Sequence, residues 1–116
     1  MQYDVEIVLR ERNFAVTERI EHGIDPRTWG ERDVKVVLEQ ILRAIDRAKN
    51  PDNPAAHVAL RGFSWIVEPV DDGVVIAIEI PTGSAVAGQF AIEHDKLDTM
   101  VRRVIAAAAI PRATVH

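Results

Sequence analysis

The run Val74-Val75-Ile76-Ala77-Ile78-Glu79-Ile80 puts apolar side chains on both faces of any strand it forms, because successive side chains of a strand point to opposite sides. Such a strand belongs inside a sheet that is covered above and below. Asp72-Gly73, just ahead of it, is a hairpin signal of the kind that tolerates positive backbone angles. A two-residue turn there sets Asp71 opposite Val74, Val67 opposite Ile78 and Trp65 opposite Ile80, so four large apolar side chains share one side of the ladder. The segment before the turn is thereby expected to be an antiparallel neighbour.

That segment changes phase along its length. Val58 and Leu60 fall on one phase and Phe63, Trp65 and Val67 on the other, with Gly62 at the change. A bulge at Gly62 would bring both sets to one face, whereas a straight strand would bury both faces. After the run, Pro81-Thr82-Gly83-Ser84 turns the chain, and Val86, Phe90 and Ile92 indicate a further strand interrupted by Gly88.

The N-terminal part supplies two more strands. Tyr3, Val5, Ile7 and Leu9 alternate with polar residues over positions 2 to 10. Beyond Glu11-Arg12-Asn13, the residues Phe14, Val16 and Ile20 give either a hairpin partner or a short helix capped by Asn13 and stopped at Gly23, the hairpin being preferred. Asp25-Pro26 marks a turn.

Two helices complete the pattern. Val34, Val37, Leu38, Ile41, Leu42 and Ile45 recur at i, i+3, i+4, i+7, i+8 and i+11, one continuous face. Thr28 with Glu31 suggests a capping box at its start, Asn50-Pro51 ends it, and Glu39 and Arg43 are spaced to pair. Residues 50 to 54 form a loop. Asp95 is placed to cap a last helix carrying Leu97, Val101, Val104, Ile105 and Ala108, ended by Ile110-Pro111. The expectation is one α+β domain over residues 1–116, an antiparallel sheet of about five strands with two helices on one face, in the order ββαβββα. Two helices cannot cover two faces. If Val75 and Ala77 point away from them, the other face is also apolar, and a second copy of the chain is the simplest cover.

Composition narrows the chemistry. There is no cysteine, which removes disulfides, thiolate metal sites and cysteine nucleophiles. Eighteen acidic residues against 14 basic ones give a net charge of −4 with the signs interspersed, a balance that does not favour nucleic-acid phosphates. Met1 leads into Tyr3-Asp4-Val5-Glu6 without a basic and then apolar leader, and no run nears the roughly 18 apolar residues of a membrane span. A cytoplasmic protein with no membrane partner is expected.

Candidate sites are sparse. Gly83 and Gly88 have the glycine spacing of a phosphate loop, but Gln89-Phe90 stands where lysine and a hydroxyl residue are needed; a turn and a bulge explain them better. Glu93-His94-Asp95 with Asp98 gathers titratable groups at a helix start, yet only His94 and Asp98 are spaced to meet, too few for a metal. His22 and His57 have no local partner, and Ser64 and Ser84 lie outside any nucleophile elbow. Helix, three strands and helix over residues 29 to 109 is the element order of double-stranded-RNA binding domains, but Lys96 is surrounded by Glu93, Asp95 and Asp98 where those domains carry a lysine cluster. Trp29, beside Thr28 and Gly30, is either packed on the helix start or an exposed anchor, its size favouring packing.

Two functions follow. The first is a non-catalytic, dimeric protein-protein interaction or accessory module with no cofactor and no metal. The second is a small-molecule binder or modest enzyme with a pocket between sheet and helices, using Arg61, Gln89 or His94 as polar contacts.

Overall fold

The computed structural model describes residues 1–11, 15–55 and 57–109. Its elements are β1 (Gln2–Leu9), β2 (Ala15–Glu21), a 3-10 turn (Pro26–Thr28), α1 (Glu31–Lys49), β3 (Ser64–Val70), β4 (Gly73–Ile80), β5 (Gly83–Phe90) and α2 (His94–Ala109). All strands pair antiparallel in one sheet of order β2-β1-β5-β4-β3, the ββαβββα order expected. Residues 15–21 are strand, so the N-terminal hairpin stands and the short-helix alternative falls. Phe14, Asn13 and Ile110-Pro111 lie outside the described residues.

One face of the sheet carries the core. Tyr3, Val5, Ile7 and Leu9 of β1, Val74, Ile76 and Ile78 of β4 and Val67 of β3 are buried there with the apolar stripes of both helices. Each such side chain removed from water contributes about 1.5–3 kcal/mol before entropy is counted. The middle strand β5 contributes the small Ala85 and Ala87, both fully buried. Helix α1 buries Val34, Val37, Leu38, Ile41, Ala44 and Ile45, and α2 buries Leu97, Met100, Val101 and Val104. Among the described residues no helix is long and apolar enough to cross a membrane.

Several local expectations are corrected. The β3–β4 turn is Asp71-Asp72, closed by Val70 opposite Gly73, so Val67 faces Ile76 and Trp65 faces Ile78. Because the register moves by an even step, every side chain keeps its face. Gly73 has no positive φ; it is needed because a Cβ there would lie 2.2 Å from the Phe90 carbonyl oxygen. Gly62 does have positive φ, +79°, but in the loop ahead of β3, and Leu60 buries from that loop instead of from a strand. The bulge expected at Gly88 is present, the β4–β5 register shifting between Val74 and Ile76, and the Gly88–Gln89 peptide is cis. Strand β4 is interior, while the middle place belongs to β5.

Helix starts also differ. Gly30, not Thr28, precedes α1; a glycine has no side chain to accept, so only the return half of a capping box forms, with Gly30 N–H donating to Asp33 Oδ2 at 3.0 Å. The Thr28 hydroxyl donates to the Asp25 carbonyl instead. Asp95 lies inside the first turn of α2 rather than at its cap. Among the described residues Glu39 and Arg43 form no ion pair; α1 pairs outward, Arg47 with Glu18 of β2 and Glu31 with Arg103 of α2.

Candidate interaction surface

Among the described residues no helix packs against the second face of the sheet; both helices bury their apolar stripes on the first. Register assigns to it Asp4, Glu6 and Val8 of β1, Ala15, Thr17, Arg19 and Glu21 of β2, and Ser84, Val86 and Gly88 of β5. Strand β4 adds Val75, Ala77 and Glu79, and β3 adds Ser64, Ile66, Glu68 and Val70. Val75 and Ala77 thus point away from the helices, as the doubly apolar run required. Of the six large apolar side chains exposed among the described residues, four (Val8, Ile66, Val70 and Val86) are on this face. Ile66, at 53% exposure, is the most open of them.

The side chains have a shape as well as a composition. Ile66, Ala77 and Val86 lie side by side across β3, β4 and β5. The small Ala77 between two larger neighbours makes a trough along β4, and a shallow depression of about 400 Å³ opens there between Ile66 and Val86. Glu79, flanked by Ser64 and Ser84, closes one end. Glu68 lies beside Val75 on the β3 side, and Glu6 lies beyond Val86 on the β1 side.

The four residues singled out from sequence are not on this face and share no hydrogen bond or common depression among the described residues. Trp29 is 2% exposed; its indole N–H donates to the Ile24 carbonyl at 3.0 Å and its ring lies 5.1 Å from Phe90 and 5.7 Å from His22, a packing role. Arg61 is exposed in the loop before β3, and Gln89 is exposed at the β5 bulge. His94 stands at the start of α2, with Nδ1 2.9 Å from Asp95 Oδ1 and Nε2 2.7 Å from the Val67 carbonyl oxygen. The Asp95 carboxylate first, then that carbonyl, holds the imidazole above its ordinary pKa.

Other titratable groups are locked into the frame. His22 Nε2 lies 3.3 Å from Asp33 Oδ1, and Tyr3 donates to Gln40 Oε1 at 2.8 Å, its phenol pushed up by burial and then by the charge of Glu18. Between sheet and helices, Phe90, Ile7, Leu38, Ile41 and Ile76 are fully buried in one core cluster, and two depressions lie elsewhere, one in the trough and one around Arg10, Lys49 and Thr82. The sequence signal for this candidate surface was the second apolar phase of β4; Ile66 and Val86 could be added only once register was known.

No family model matches the chain, and no curated protein or solved structure is similar to it at a significant level.

Proposed function

We propose that the chain is a non-catalytic protein-binding module that works through the uncovered face of its sheet. The observation that carries this is the contiguous row Ile66, Ala77 and Val86, exposed or half-buried in a sheet whose other face carries the core. Apolar surface held open on rigid strands is presented for contact at low ordering cost, since the backbone there is already fixed by the ladder. A second copy of the chain and a different protein are the two kinds of occupant such a face admits.

Site-directed photo-crosslinking in the native host tests it. A photoreactive residue at Ser64, beside the trough, is expected to give protein adducts, and the same residue at Lys35, exposed on α1, is expected to give none. Adduct mass separates a doubled chain from a different partner. No adduct from position 64, or equal adducts from both positions, removes the reading.

A further inference from the structure

The geometry points to a basic amphipathic helix of another protein as the occupant of this face, an inference that rests on its docking role. Charge is the first argument. The strands place five carboxylates on this face, Asp4, Glu6, Glu21, Glu68 and Glu79, against the single guanidinium of Arg19. Arg19 Nε already donates to Asp4 Oδ1 at 3.0 Å, so that cation is committed. What remains is an apolar trough with acidic groups at one end and on both sides. A second copy would bring the same surplus of carboxylates to the interface, and its one guanidinium on this face, Arg19, is already paired with Asp4, so two such faces oppose association. A partner with lysine or arginine flanking an apolar stripe meets carboxylates where it has cations.

Shape is the second argument. Strands are spaced about 4.8 Å apart, so the ridges at Ile66 of β3 and Val86 of β5 stand roughly 10 Å from each other across β4, and a helix resting on both ridges sets one row of its side chains between them. The floor is Val75 and Ala77, and alanine leaves room for a knob from a helix laid along β4. Apolar residues at i, i+3, i+4 and i+7 on the partner would fill the trough, and its basic flanks would reach Glu68 on one side and Glu6 on the other.

Pairing at a sheet edge is a poorer way for a partner to bind on the β3 side. Val67 offers its carbonyl to the open edge, but His94 occupies it. Pro69, two residues on and therefore in the same backbone orientation, brings no N–H to that edge.

The test uses the full chain, isotopically labelled, and an amidated leucine-lysine peptide with leucines at helical spacing. Light scattering first fixes the mass of the free protein. Saturable one-to-one binding is expected, with amide shifts concentrated at Ile66, Val75, Ala77 and Val86 and with affinity falling as salt rises. The pair Ile66→Ser with Val86→Ser, which removes both apolar ridges without changing the charge, should weaken binding about tenfold or more. Glu6→Gln, Glu68→Gln and Glu79→Gln together, which leave the apolar residues untouched and need no refolding of the core, should flatten the salt dependence. Absence of binding, shifts spread over the helices, or equal binding of a lysine-glycine peptide overturns the inference. A free protein that is a dimer through this face overturns the helical occupant while leaving the docking role standing; failure of the position-64 crosslink removes the docking role itself.

Discussion

His94 bridges to Val67 across the open side of β3, its Nε2 2.7 Å from the Val67 carbonyl oxygen, while Nδ1 faces Asp95 Oδ1 at 2.9 Å. Both neighbours are acceptors. A neutral imidazole has one N–H and can satisfy one of them; the imidazolium satisfies both. The start of α2 is thereby tied to the edge strand by a contact that is complete only in the charged form.

Stability should therefore depend on pH through this residue. Its folded pKa is raised, so its contribution is full below the unfolded value near 6.5 and is lost as pH rises through the folded value. Asp95 and Asp98 favour the cation, and the positive end of α2 opposes it. Melting of wild type and of His94→Ala compared at about pH 5.5 and about pH 8.5 should show the larger alkaline loss in the wild type. Equal pH dependence of the two proteins would show that the bridge contributes nothing.

Glycine substitutions should separate close approach from backbone angle. At Gly73 a Cβ would meet backbone, the Phe90 carbonyl oxygen at 2.2 Å, so Gly73→Ala must part β4 from the end of β5 and is expected to cost about 3 kcal/mol or more. At Gly62 nothing lies within 4 Å of an added Cβ, and only the φ of +79° resists, so Gly62→Ala should cost about 1–2 kcal/mol. Urea unfolding of the two variants gives the order directly.

Trp29 packs between His22, edge-on, and Phe90, tilted, with its indole N–H donating to the Ile24 carbonyl. Trp29→Ala should cost about 3–5 kcal/mol by loss of transfer energy and the cavity left behind. Trp29→Phe keeps most of the apolar volume and gives up the hydrogen bond, costing about 1–2 kcal/mol. A residue acting as an exposed anchor would show neither loss in thermal melts.

The order of elements was legible because each carries its own period: two for β1, 3.6 for α1 and for α2. What local patterns do not encode is where two chains pass close together. Gly73 resembles a turn glycine in sequence, yet its lack of a side chain serves the Phe90 carbonyl of another strand. Asp71-Asp72 makes the turn instead, and only the even slip of register kept Trp65 and Val67 on the core side. Thr28 and Asp95 looked like caps because their side chains could accept from a helix start; each is engaged otherwise, Thr28 with Asp25 and Asp95 with His94. The candidate surface was half legible. Val75 and Ala77 announced it from a single strand, whereas Ile66 and Val86 join them only through pairing on either side of β4, a long-range property.

Neighbouring residues on β3 should respond in opposite ways. Val67 is 2% exposed on the packed face and Ile66 is 53% exposed on the other. Val67→Ala removes two buried methyl groups and leaves a cavity, with an expected loss of about 2 kcal/mol. Ile66→Ser removes more apolar surface yet should change stability by no more than about 0.5 kcal/mol, since that surface already meets water in the free chain. Urea midpoints for the two variants, read with unchanged slopes, measure the difference. If Ile66→Ser proves as costly as Val67→Ala in the isolated protein, the face is covered in solution by something that the single chain does not supply, and a midpoint that rises with protein concentration would identify the cover as a second copy.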